Sequence, residues 1–417
     1  MLKSVFKLPS YLYGLVDQAI ISLSNFLLSI LILRFLGIEI FGVFSFFWIF
    51  IMFMNSVQLS YIISPMLTNA PKQKNSNINY FYGGIFLQQL VFSLIIFFLI
   101  FFILKNFGKH ISSYPIANYY LSFSLLIFIT QLHNFLRRLL YSKKLYIRVI
   151  ISDFISYLSL IAFIIYLEHL NKLDLGIIFW SIVIFFSIGS IIILPIVFSL
   201  NYKLSNISQS IRENWNISKW MLLTSLAQFF SGNLWVINAG IILGPFVLGI
   251  IRACQTLLGI TNLILQSLEN FIPGETSKKF ISGSFKEMNI YLKKFALKGF
   301  LAVSSITFFI IIFSEFLLKM FYGADVASHY QVLMFISLTF PLAFIHFPFV
   351  YGLRTLGKTK PIFISFLLSS IFAIVGSKFI ISYFEIKGVI AGLLFSNIII
   401  ASYTYYGYRY YLKKEKL

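Results

Sequence analysis

Apolar residues in this chain come in long unbroken runs rather than in alternation. The stretches 81–104 (FYGGIFLQQLVFSLIIFFLIFFIL) and 175–199 (LGIIFWSIVIFFSIGSIIILPIVFS) are longer than the roughly 20 residues a helix needs to cross a bilayer. Such runs predict spanning helices and leave no room for the period-two pattern of an outer-membrane barrel. Charges, prolines and glycines divide the chain into spans near 11–33, 40–63, 81–104, 116–136, 147–167 and 175–199. A second six follow near 219–243, 246–271, 296–318, 330–353, 361–384 and 388–411. The amino-terminal apolar run continues to Leu33 without a small-residue cleavage site, so it reads as the first span and not as a signal peptide.

Composition agrees with the pattern. The chain is 59% hydrophobic and 11% charged over 417 residues, far from the roughly one-quarter charged content of a soluble domain. Its formal charge of +20 raises nucleic acid as a partner, but the placement of the charges excludes it. With the amino terminus inside, only Arg34, Lys105, Lys109, Lys172, Lys319 and Lys387 of the 33 basic residues fall outside. Arg252 and Lys378 lie within spans, and the other 25 fall inside. That alternation is the positive-inside pattern and predicts both termini in the cytoplasm of a bacterial inner membrane, with the basic loops facing anionic lipid. The one cysteine, Cys254, rules out an internal disulfide and a thiolate metal cluster. No metal site or cofactor is expected.

An internal repeat organises the spans. The junction of spans one and two reads RFLGIEIFGVFSF, with Gly37 and Gly42; that of spans seven and eight reads IILGPFVLGIIRA, with Gly244 and Gly249. Each glycine lies 207 residues from its partner, and the same offset maps Ser24 onto Ser231 and Asn55 onto Asn262. HNFLRRLLYSKKLY from His133 is echoed by HFPFVYGLRTLGKTKP from His346. Six is even, so both halves enter the bilayer from the same side and the repeat axis runs along the membrane normal. The expected fold is therefore an all-α polytopic membrane protein of about twelve transmembrane helices in two six-helix lobes, 1–205 and 206–417.

Polar residues inside the spans are costly and usually face an interior or a wet cavity. In span eight Arg252, Gln255, Gly259, Asn262, Gln266 and Glu269 recur at three- and four-residue steps and share one helix face. Span seven has the same rhythm in Thr224, Gln228, Ser231, Trp235 and Asn238. Span one supplies Asp17, Gln18, Ser24 and Asn25, span two Asn55 and Gln58, and span eleven Lys378. These residues either line a cavity or join helices by hydrogen bonds. Arg252 either holds a phosphate, which its fixed charge and forked donors suit, or pairs with Asp17, or snorkels outward. Asp17 either exchanges a coupling proton or sodium ion, or pairs with a cation. Asp153 suits the positive start of span five. Arg137 and Arg138 read as topology determinants in the loop after span four, and His133 and His346 as lone histidines that make no metal site.

The LGxxxFGxxSF hairpin, its weaker copy in span seven, the basic loop after span four and the six-plus-six layout resemble the polysaccharide-exporter branch of the multidrug/oligosaccharidyl-lipid/polysaccharide superfamily, specifically the Wzx-type O-antigen and capsule-unit flippases. The resemblance implies a central cavity lined chiefly by spans one, two, seven and eight. It also implies translocation of an undecaprenyl-pyrophosphate-linked oligosaccharide by alternating access, with polysaccharide polymerase machinery as a further partner. The rivals are a multidrug extruder of the same superfamily and an integral-membrane polysaccharide polymerase. Multidrug substrates are often cationic and fit poorly beside Arg252. A polymerase needs a large outer loop with catalytic residues, whereas the outer loops here run to about a dozen residues. No nucleophile–base pair or phosphate loop appears, so the chain is not expected to be an enzyme.

Overall fold

The computed structural model describes residues 10–73, 77–111, 116–202, 205–259, 272–282 and 285–414. Its long helices are α1 (Ser10–Leu36), α2 (Ile38–Gln58), α4 (Ile78–Ile111), α5 (Tyr120–Ser142), α6 (Tyr146–His169) and α7 (Leu175–Ile191). The second half has α9 (Ser205–Leu243), α10 (Pro245–Leu257), α12 (Phe285–Ile312), α16 (Thr339–Thr355) and α17 (Lys360–Lys414). Shorter helices fill the chain order: α3 (Ser64–Asn69), α8 (Leu194–Phe198), α11 (272–282), α13 (Ser314–Tyr322), α14 (Ala324–Ala327) and α15 (Tyr330–Ser337). No strand occurs among the described residues.

Eight of the helical segments are long and apolar enough to cross a membrane. The 55-residue α17 breaks at Glu385 (φ 50°, ψ −133°), between the predicted spans eleven and twelve, and so provides two. With α5, α7 and α10 the protein is an all-α polytopic membrane protein of about twelve spans. Three predicted spans differ in detail. Span nine was expected at 296–318, but α12 begins at Phe285 and the helix breaks at Phe313 before α13. Only Pro245–Leu257 of span eight forms a described helix. Span four does not stop at 136; α5 runs on to Ser142 and takes in both arginines, because the charge of Arg137 is neutralised inside the protein.

The chain forms two compact units, Met1–Gly37 with Phe47–Ser225, and Ile38–Phe46 with Leu226–Leu417. In the first, α1 lies along α6, α6 on α7, and α5 between α4 and α7. Ile62, Met66, Ile85, Phe135, Leu136, Leu139 and Val149 make its main core. Pro65 has no N–H to give the Tyr61 carbonyl four residues earlier, and the helix answers with a π turn over Leu59–Ile63. Ser218 Oγ on α9 lies 3.1 Å from that carbonyl and 2.8 Å from that of Asn214, so its hydrogen serves both. In the second unit α12 packs on α16 and α16 on α17, around Met288, Leu292, Tyr351, Leu353 and Tyr408.

The repeat read from the sequence is written in the backbone. Gly37 (φ 84°, ψ 169°) precedes α2 and Gly244 (φ 93°, ψ 175°) precedes α10, a conformation essentially closed to other residues. Gly37 N–H bonds to Leu33 C=O at 3.0 Å and Gly244 N–H to Gly240 C=O at 3.2 Å, again 207 residues apart. In the second unit a Cβ on Gly42 would lie 1.9 Å from the Pro245 carbonyl oxygen, and one on Gly249 would lie 2.4 Å from that of Ile38. The two close approaches exchange under the 207-residue offset, as a local two-fold crossing requires. The second echo holds too. Helix α5 ends with Lys144 at φ 60° and α16 with Gly357 at φ 68°, and the bonds Leu145 N–H to Leu140 C=O and Lys358 N–H to Leu353 C=O match at an offset of 213.

Candidate functional site

In the first unit His133, Arg137 and Tyr141 stand four residues apart on α5 and therefore on one face. Arg137 gives Nε to Asp153 Oδ2 at 2.6 Å and Nη2 to Asp17 Oδ2 at 2.7 Å. Tyr141 donates its hydroxyl to the same Asp17 oxygen at 2.6 Å. His133 Nε2 lies 3.1 Å from Asp153 Oδ1, and its Nδ1 lies 3.1 Å from Ser190 Oγ. Four helices, α1, α5, α6 and α7, are thus tied by one charged network whose arginine and aspartate side chains are at most 10% exposed. Asp17 Oδ1 is buried and has no hydrogen-bond partner among the described residues.

Two expectations are corrected by this network. Arg137 is not a loop charge: it sits inside α5 and is buried, while Arg138, about 100° further round the helix, is exposed. Asp153 does not cap span five, since α6 begins at Tyr146; it lies two turns in, where Arg137 and His133 compensate it. Asp17, for which a cation partner was one expectation, has that partner in Arg137.

Ser190 has one hydroxyl hydrogen, and Phe186 C=O accepts it at 2.7 Å. His133 thus bridges Ser190 and Asp153 through its two ring nitrogens, whichever tautomer it holds. Two carboxylates against one guanidinium leave one negative charge, which a single proton would neutralise. The network is a place where one proton can be held inside the membrane.

The other first-unit residues form a separate patch. Gln131 Nε2 donates to Asn55 Oδ1 at 2.6 Å, and Gln58 Nε2 donates to Gln131 C=O at 2.5 Å, joining α2 to α5. The side-chain oxygens of Asn25, Gln58 and Gln131 are buried and unpartnered among the described residues.

In the second unit Arg252 Nη1 donates to Gln255 Oε1 at 3.0 Å. Arg252, Gln255, Thr256 and Gly259 form the half-buried side of this segment, while Ile251, Ala253, Cys254, Leu257 and Leu258 are buried. Asn262, Gln266 and Glu269 lie outside the described residues. The span-seven residues divide. Gln228 is exposed, but Ser231 meets Ser369 at 2.6 Å, Asn238 donates to Ser377 at 2.5 Å, and Trp235 donates to Ser396 at 3.0 Å. The last three therefore join α9 to α17. Lys378 is exposed on the same face as Ile371, Ile374 and Val375.

Residues 221–379 match the MatE family model. No curated protein matches the chain in sequence. In structure it is similar to an inward-facing multidrug-resistance MATE family transporter of the MOP superfamily (TM-score 0.77, 11% identity, covering 97% of this chain and 99% of that one). It is also similar to the lipid II flippase MurJ in an inward closed conformation (TM-score 0.71, 15% identity, 96% and 87%). A third is a MOP superfamily transporter from Pyrococcus furiosus whose binding pocket has reverse polarity (TM-score 0.61, 12% identity, 97% and 95%). The fold is that of MOP-superfamily transporters.

Proposed function

We propose that this protein is a flippase that carries a lipid-linked oligosaccharide with an anionic pyrophosphate, of the undecaprenyl type, from the inner to the outer leaflet of a bacterial cytoplasmic membrane, by alternating access. The observation that carries the reading is Arg252, a fixed positive charge beside Gln255 on the half-buried face of α10. A guanidinium in a span is costly, about 2.5–3.5 kcal/mol on insertion scales, and phosphate matches its forked donors. The likeness to MurJ supports a lipid-linked substrate. The Pyrococcus furiosus transporter, whose pocket polarity is reversed, supports taking pocket charge rather than fold as the guide to substrate. Gln228 and Gln255, and Asn262 and Gln266 beyond the described helix, are assigned to the sugar.

The coupling site is assigned to Asp17 and its network, with a proton as the coupling ion because two carboxylates stand there against one guanidinium. A multidrug extruder is the second reading, favoured by the MatE match over 221–379. Reconstituted protein given a fluorescent polyprenyl-pyrophosphate sugar in one leaflet tests both readings. Transport is expected from the native chain and at least tenfold less from Arg252→Ala and Arg252→Lys, since about 1.4 kcal/mol of lost phosphate binding is one decade. Full transport by Arg252→Ala, or export of lipophilic cations in place of the sugar lipid, overturns the flippase reading.

A further inference from the structure

The first turns of α12 present lysines on the exposed side of the helix. Lys286, Lys293, Lys294 and Lys298 are exposed, and so are Ile290, Leu297, Leu301, Phe308 and Ile312 along the same helix. At about 100° per residue all these positions fall in one sector about 140° wide, opposite the buried Met288, Leu292, Val303 and Ile310. Over the first about 18 Å, from 286 to 298, that sector alternates lysine with aliphatic side chains; beyond Leu301 it is apolar. Helix α11 extends the surface. Its Phe280 packs inward on the Tyr351–Tyr408 core, while Lys278 and Lys279 point out beside Ile281, which is 84% exposed. Aliphatic groups exposed among lysines are what a protein presents at the level of lipid headgroups.

The matching helix of the first half does without such lysines. Both halves of the repeat enter the membrane from the same side, yet α4, which packs on α5 as α12 packs on α16, carries no basic residue before Lys105. The start of α4 is also buried: Phe81, Tyr82, Ile85 and Phe86 are covered, and Gly83 lies against Asn201. Within α12 the lysines are unfavourable neighbours. Lys294 and Lys298 are like charges four residues apart, Lys293 adjoins them, and Glu287 is the helix's one acidic residue. Among the described residues the chain itself gives these three lysines no carboxylate partner.

We propose that the α11–α12 face is a binding surface for anionic phospholipid headgroups of the leaflet at that end of the bundle, with Lys293, Lys294 and Lys298 holding the phosphates and Ile290, Leu297 and Leu301 lying along the acyl chains. The surface rests on the membrane fold and not on the transport reading, so lipid binding is the measured quantity.

The test places the full chain in nanodiscs of mixed phosphatidylglycerol and phosphatidylcholine and reads which lipid is retained around it. The native protein should enrich phosphatidylglycerol. Combined Lys293→Gln, Lys294→Gln and Lys298→Gln should lower that enrichment by about fivefold per lysine, the equivalent of about 1 kcal/mol each. The corresponding Lys→Arg variant should keep it, and Lys358→Gln with Lys360→Gln and Lys413→Gln should leave most of it. Undiminished enrichment in the first variant overturns the proposal. So does equal loss in the Lys358/Lys360/Lys413 variant, which would make the effect one of bulk charge. Displacement of phosphatidylglycerol by an equimolar polyprenyl pyrophosphate would also overturn it, by showing that the surface belongs to the sugar lipid.

Discussion

Replacing Arg137 with Leu deletes one guanidinium that serves two carboxylates, Asp153 at 2.6 Å and Asp17 at 2.7 Å. The two aspartate side chains are 0% and 5% exposed, so water cannot take over as their partner. Removing one member of a buried ion pair costs about 3–5 kcal/mol, because the remaining charge stays buried without compensation. Against a domain stability of about 5–15 kcal/mol that is a large share. Arg137→Lys keeps the charge as a single point and cannot hold both carboxylates along one rigid fork, so it should lose about one charge-assisted hydrogen bond, 1.5–3 kcal/mol. The decisive variant removes all three charges together. Arg137→Met with Asp17→Leu and Asp153→Leu leaves no buried ion, and hydrophobic replacements of this kind are often neutral or stabilising. Thermal unfolding in detergent, followed by intrinsic tryptophan fluorescence, should therefore rank the native chain and the triple variant together, Arg137→Lys below them and Arg137→Leu lowest. An Arg137→Leu protein that unfolds at the native midpoint, or a triple variant no better than Arg137→Leu, would refute this account of the network.

The repeat yields two more expectations, both read from the same unfolding midpoint. Gly37→Ala and Gly244→Ala should each cost about 1–3 kcal/mol, since both place a Cβ in a backbone region reserved for glycine; a neutral result at either hairpin would contradict the angles. Lys144, at φ 60° where its counterpart is Gly357, should accept Lys144→Gly with a gain of up to about 1 kcal/mol, whereas Gly357→Ala should lose a comparable amount.

The glycine hairpins were readable from sequence because their requirement is local: a positive φ next to a close helix crossing leaves few other residues to choose. The same holds for the break at Glu385, which falls in the short gap between the predicted spans eleven and twelve. The charged network was hidden for a different reason. Two adjacent arginines after an apolar run look like the end of a span, and only a partner distant in sequence decides that Arg137 turns inward while Arg138 does not. The four-residue step from His133 through Arg137 to Tyr141 was a signal that α5 continues. Periodicity correctly put Ser231, Trp235 and Asn238 on one face but could not say what that face meets. The answer lay in Ser369, Ser377 and Ser396, small residues that give no sequence signal inside apolar spans.

The opening residues of α2, Ile38–Phe46, pack with the half of the protein that is made last. Gly42 waits on the ribosome for Pro245, 203 residues downstream, and at about 5–20 residues per second that delay is on the order of 10–40 s. Through that interval a glycine-notched helix edge stands in the bilayer without its mate, open to lipid or to an insertion factor. Cutting the gene between the two sextets would therefore not give two self-sufficient products: the later fragment would lack nine residues of its own wall.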